Sequence, residues 1–120
     1  MNLQQGVGSL ADTFLSFSTT GTGTVYTVPT ADAGATPPTP PTTALVRSIR
    51  LSNQSGGDVA TTVTAMDYSN SSLEIELYKD TLTDGSESEI LTQPIALEQQ
   101  DAIKLTGAGV KILVSLLEIS

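Results

Sequence analysis

Glu74 and Glu76 stand two residues apart in LEIELYK, residues 73–79, so on a β-strand their carboxylates share one face. Paired carboxylates are the machinery of glycoside hydrolysis, one serving as acid and the other as base or nucleophile. That chemistry also needs a deep sugar cleft, usually walled by aromatic rings, and the chain has three Tyr, two Phe and no Trp. A solvated acidic strand face accounts better for the two glutamates. A second acidic group, Asp80, Asp84, Glu87 and Glu89, offers the oxygens that Ca²⁺ takes, but without the D-x-[DN]-x-[DN]-G spacing of an EF-hand loop. Its competing reading is a polar turn that keeps a sheet edge from pairing with other sheets. Gly6-Val7-Gly8 and Gly107-Ala108-Gly109 look like fragments of phosphate-binding loops. No helical pattern follows either one, so the helix N-terminus that would hold a phosphate is missing and both read as turns.

What the chain lacks narrows the chemistry further. It contains no His and no Cys. A Ser–His–Asp or Cys–His arrangement cannot be assembled, nor can an imidazole or thiolate metal site. There is no disulfide framework and no thiol nucleophile. The expectation is a protein without catalytic residues, cofactor or metal. Thirteen acidic against five basic residues give a net charge of −8. Arg47, Arg50, Lys79, Lys104 and Lys111 are scattered along the chain, too few to neutralise a run of phosphates, so neither nucleic acid nor an anionic membrane surface is an expected partner. No stretch approaches the ~20 apolar residues of a membrane helix. Residues 1–10 carry no basic residue and no long apolar run, so no signal peptide is expected and the protein reads as made in the cytoplasm.

The elements that position these residues read as strands. Residues 13–18 and 24–28 are β-branched and aromatic, with Gly21 and Gly23 between them. Residues 29–43, PTADAGATPPTPPTT, hold five of the six prolines and interrupt any helix or sheet. They read as a stiff surface loop or as a PxxP-type recognition segment, with Pro37, Pro38, Pro40 and Pro41 as contact candidates. In residues 44–53, ALVRSIRLSN, period-2 alternation puts Leu45, Ile49 and Leu51 on one face, with Arg47 the exception. Arg47 is expected to pair with a carboxylate of this chain or of a neighbour. Leu73, Ile75 and Leu77 are expected to face inward, with Glu74, Glu76 and Tyr78 outward. In residues 110–119, VKILVSLLEI, Val110, Ile112, Val114 and Leu116 share one face while Leu113, Leu117 and Ile119 share the other. A strand apolar on both faces is central to its fold or covered by another chain, which makes Leu113, Leu117 and Ile119 candidate interface residues. No segment keeps a 3.6-residue apolar stripe.

The whole predicts an all-β protein: a β-sandwich of about 7–9 short antiparallel strands with jelly-roll-like or Greek-key connections. Residues 1–12 form an N-terminal arm, and 13–120 a single domain carrying the Pro-rich loop 29–43.

The order of four segments, VYTVP at 25–29, ALVRSIRLSN at 44–53, QPIALEQQDAIKL at 93–105 and VSLLEI at 114–119, resembles small virion structural proteins of tailed bacteriophages, particularly those infecting cyanobacteria and other aquatic bacteria. The resemblance runs from Val25 to Ser120. It departs at the long Pro-rich loop and at Gln99-Gln100, where the pattern usually has a short turn and Ala-Gly. It implies a part of the phage particle. A capsid decoration (cement) protein is the leading expectation: a homotrimer on the outer capsid surface, contacting the major capsid protein or other virion proteins. A neck or tail component, as a head–tail connector or collar, and a host- or carbohydrate-binding β-module are the alternatives.

Overall fold

Alternating apolar and polar residues, broken at turns by glycine, build nine strands in the computed structural model, which describes residues 12–31, 34, 36 and 42–119. They are β1 (Asp12–Thr20), β2 (Gly23–Thr27), β3 (Thr43–Asn53), β4 (Val59–Asp67), β5 (Leu73–Leu82), β6 (Glu87–Glu89), β7 (Ile95–Leu97), β8 (Ala102–Thr106) and β9 (Val110–Ile119). One 3-10 turn, Tyr68–Asn70, joins β4 to β5. The expectations for residues 1–11 and for Pro37, Pro38, Pro40 and Pro41 lie outside the described residues.

The strands form two antiparallel sheets. Sheet A has the order β1-β9-β3-β6, with β7 also paired to β3, and sheet B has the order β2-β8-β4-β5. With β6 and β7 counted as one interrupted strand, this is jelly-roll connectivity. The chain crosses between sheets at β1–β2, β2–β3, β3–β4, β5–β6, β7–β8 and β8–β9. The all-β sandwich expected from composition and spacing is therefore present. Its core is drawn from both inner faces. Val46, Ile49, Leu51, Ile112, Val114 and Leu116 of sheet A meet Val63, Ile103 and Leu105 of sheet B, each at most 1% exposed. A side chain buried this completely contributes roughly 1.5–3 kcal/mol over leaving it in water.

Two β-bulges correct the expected faces. The β3–β9 register shifts between Val46 and Ser48, so Arg47 is an extra residue and the inward parity changes there. Ala44 and Val46 point inward before it, and Ile49, Leu51 and Asn53 after it. Leu45 is therefore outward and half-buried, not on the face of Ile49 and Leu51. On β5 the shift falls between the Val63–Tyr78 and Thr64–Glu76 pairs, making Leu77 the extra residue. Tyr78 pairs with inward-facing Val63 and packs against the core, contrary to the expectation that it shares a face with Glu74 and Glu76. Leu73 and Ile75 have the expected inward parity, yet they are 49% and 51% exposed, because sheet B extends here beyond the cover of sheet A.

At the first bulge a side chain completes the sheet edge. β7 pairs with residues 44–46 of β3 and β6 with 50–52, leaving a gap between them. The Glu89 carboxylate fills it, accepting the Ile49 N–H at 2.9 Å, the Leu91 N–H at 3.3 Å and the Ser48 hydroxyl at 2.5 Å. Ile49 lies in the core, so its amide has few alternatives. Glu89→Ala should cost about 1–3 kcal/mol, the loss on orphaning a buried donor, while the exposed Glu87→Ala should stay within about 0.5 kcal/mol. Urea unfolding of the two variants checks this, and equal midpoints would remove the role assigned to Glu89.

Candidate interaction surface

The outer face of sheet A is where the sequence-predicted interface residues lie. Leu113, Leu117 and Ile119 alternate outward along β9, against the buried Val114 and Leu116 on its inner face. The register sets Leu117 between Phe14 of β1 and Leu45 of β3, with Ala96 of β7 beyond Leu45. Phe14, Leu117, Leu45 and Ala96 thus form one row across four strands. Phe14 is 69% exposed, Leu113 41% and Ile119 38%. Arg47, thrown outward by the bulge, places its guanidinium 5.6 Å from the centroid of the Phe14 ring, a cation–π contact. Among the described residues no carboxylate of this chain pairs with Arg47, contrary to one sequence expectation; its contact within the chain is the Phe14 ring.

Charge distinguishes this face from the rest of the molecule. Three of the five basic residues, Arg47, Arg50 and Lys111, lie on it. Arg50 sits 3.9 Å from Glu87, whereas Arg47 and Lys111 have no ion-pair partner among the described residues. The other carboxylate at this edge, Glu89, is already engaged by the β3 backbone.

The acidic candidates are occupied by structure. Glu74 is held by Lys104 at 3.1 Å and accepts from the Thr64 hydroxyl at 3.4 Å; Glu76 sits 3.9 Å from Lys79. Both look out from sheet B over a shallow depression walled by Thr22, Thr24, Thr62, Thr64 and Thr106, with no aromatic ring. Asp84 accepts the Gly56 N–H at 3.0 Å, and Asp80 accepts that of Thr81 at 2.8 Å. Among the described residues no three carboxylates converge on a metal position.

The sandwich opens at one end between β5 and β7. Ala65, Ile75, Leu77, Ile95 and Leu97 line an apolar groove of about 290 Å³, with Asp67 and Asp101 at its rim. Asp101 is committed to the fold, accepting the Tyr68 N–H at 3.0 Å and the Glu98 N–H at 2.8 Å. Sequence reasoning missed this groove, because its walls come from strands of different sheets. It also missed Phe14 as a surface residue. The only cue was that TFLSFS puts Phe14 and Phe17 on opposite parities, so both cannot point inward.

No family model, curated protein or solved structure matches this chain. Three polar residues of the segments 25–29, 44–53 and 93–105 have clear roles in the fold. Tyr26 of β2 donates to Glu118 of β9 at 2.5 Å, a bond between the two sheets. Asn53 closes the end of β3 onto the turn after it and onto β5. Asp101 anchors the 3-10 turn and, through its backbone oxygen, accepts the Val28 N–H at 2.8 Å. These residues hold the scaffold together.

Proposed function

We propose that this chain is a non-enzymatic virion structural protein, a capsid decoration protein that stabilises a phage shell by bridging capsid subunits. The observation that carries the reading is the outer face of sheet A. It is a solvent-facing apolar row with an exposed phenylalanine and cations, on a strand whose other side is core. Burying exposed apolar area against a partner is worth roughly 25 cal/mol per Å², so a face of this kind favours a covered state. The resemblance of the four segments to phage virion proteins supplies the setting, and jelly-roll sandwiches recur in viral capsid domains, a likeness of fold only. The mechanism is multivalent docking. Each small subunit buries a modest area, and a homotrimer engaging several capsid subunits at once gains affinity through effective concentration, without new contacts. The partners are the major capsid protein or neighbouring virion proteins, at the outer capsid surface, and no nucleic acid or membrane is involved.

Quantitative mass spectrometry of purified particles tests this. Copies in the hundreds, comparable to the capsid protein, are expected. A count of a dozen or fewer would sink decoration and place the chain at the neck or tail.

A further inference from the structure

An open β-sheet ends in two edge strands, and an unprotected edge invites another strand to pair with it. The two sheets of this sandwich present four edges. Among the described residues, three of them carry features that block pairing. β2 has only five residues and a register shift between Thr24 and Tyr26. β6 and β7 have three residues each, and the Glu89 carboxylate occupies the gap between them. β5 has ten residues, but the bulge at Leu77 interrupts it and Glu74, Glu76, Lys79 and Asp80 charge it. Short strands, bulges and charges are the means by which sheets avoid unwanted partners.

The fourth edge has none of these. β1 runs for nine residues in unbroken register with β9, from Asp12 opposite Ile119 to Thr20 opposite Lys111. Residues 13–20, TFLSFSTT, contain no charge, no proline and no glycine. Every second residue of β1 turns its N–H and C=O away from β9, and among the described residues no strand receives them. The side chains here are incompletely covered as well. Leu15 and Phe17 point inward and pack on the core, as does Val25 of β2, yet all three are only half-buried.

We infer that two copies join edge to edge, β1 pairing antiparallel with β1 of the second copy about a two-fold axis at Ser16. An antiparallel edge is complementary to its own copy, because the two-fold axis matches each outward donor and acceptor with the same groups of the other chain. Ser16 is the midpoint of β1, so this register alone pairs all nine residues. It sets Ser16 against Ser16, Leu15 against Phe17 of the second copy, and Phe17 against its Leu15. Two side chains that a single copy leaves half-buried thus cover each other, and opposed apolar pairs of this kind stabilise antiparallel sheets. Self-pairing would bring any charge near the middle of the strand close to its own copy, and residues 13–20 hold none. Sheet A then runs unbroken through both subunits. The contact is two-fold and lies on the lateral edge of sheet A, not on its outer face. It goes beyond the trimer proposed above and can join one trimer to another.

Ser16→Lys tests this by sedimentation velocity. Ser16 is exposed and faces outward, so folding should survive, and circular dichroism checks that it does. The equally exposed Ser18→Lys replaces it if Ser16→Lys unfolds. Lysine is a residue that protects natural edges, and the two-fold axis would set two of them side by side. The sedimenting mass should fall to half that of the wild type, dimer to monomer or paired trimers to single ones. An unchanged mass overturns the inference, as does a wild type that is monomeric at all concentrations. Ser16→Cys gives a second measurement, since the chain has no cysteine of its own. Directly opposed Cβ atoms lie about 4.5–5.5 Å apart, so a short bismaleimide should convert this variant to a covalent dimer. Thr106→Cys, exposed on sheet B, should remain uncrosslinked under the same conditions. Equal cross-linking at the two positions overturns the two-fold at Ser16. No capsid enters either measurement. If the trimer fails, the wild type is a dimer that Ser16→Lys still splits, so the two readings fail separately.

Discussion

Asn53→Ala is expected to destabilise the fold by about 3 kcal/mol, among the larger losses available to a single substitution. Asn53 is fully buried at the end of β3 and every polar atom of its side chain is used. Its Nδ2 donates to the carbonyls of Gly57 and Leu82, both at 2.8 Å. Its Oδ1 accepts the Ser55 N–H at 3.0 Å and the Ser55 hydroxyl at 2.7 Å. The backbone joins in: its carbonyl accepts the Gly85 N–H at 2.6 Å, and its N–H donates to Ser86 at 3.0 Å. One side chain therefore ties the end of β3 to the β3–β4 turn and to the end of β5. Alanine leaves the Leu82 carbonyl without this donor in the interior. At roughly 4 °C per kcal/mol for a chain of this size, Tm should fall by on the order of 10 °C. Asn53→Asp should be no better, since it loses both donated bonds and buries a charge beside two carbonyl oxygens. Thermal melts followed by circular dichroism decide the matter, and a loss under 1 kcal/mol would mean that the turn holds without its hub.

Alkaline pH should unfold the protein through one phenol. Burial, and then the hydrogen bond to Glu118 and the charge of that carboxylate, push the Tyr26 hydroxyl well above its ordinary value of 10.0. A folded-state pKa above the unfolded one means that the neutral phenol is favoured by the fold. The stabilisation is complete below pH 10, where both states are protonated. Above pH 10 the unfolded chain releases the proton and the folded chain keeps it, so stability falls by about 1.4 kcal/mol per pH unit from this group. Tyr78, also raised by burial and then by the charge of Asp80, is half-buried and adds a decline of the same sign. Tyr26→Phe removes the main slope. It also leaves Glu118 without its donor, so the variant should be less stable at neutral pH, with a flatter decline from pH 10 to 12. Urea midpoints across that range measure it, and parallel curves for the two proteins would show that Tyr26 ionises as easily folded as unfolded.

The residues that misled the sequence reading and those that guided it differ in a physical way. The strand class was legible because β-branched residues and turn glycines act locally. The two-faced pattern of β9 was legible for the same reason: Leu113, Leu117 and Ile119 could share no face with Val114 and Leu116, but only the stacking of the sheets makes theirs the outer one. Parity failed at Arg47 and Leu77, where a bulge inserts one residue and reverses every later side chain. Arg47 breaks the apolar alternation in the sequence, and that break marks the bulge. Nothing comparable marks Leu77. The groove could not be read at all, since Ile75 and Leu97 approach only after the sheets have stacked. Nor could the Tyr26–Glu118 bond, which joins residues 92 positions apart.

The place of β9 in sheet A also sets the timing of folding. It lies between β1 and β3 and pairs with both, Asp12 aligning with Ile119 and Asn53 with Val110. On the ribosome, β1 must wait for β9 before it can join that sheet, whereas β3 can already pair with β6 and β7. Sheet B can zip its β4–β5 hairpin early, but sheet A gains its centre only after synthesis has passed residue 119. Loop closures this long are slow, and the nascent chain carries open strand edges throughout. β1 and β9 are thus expected to meet in one late step of folding.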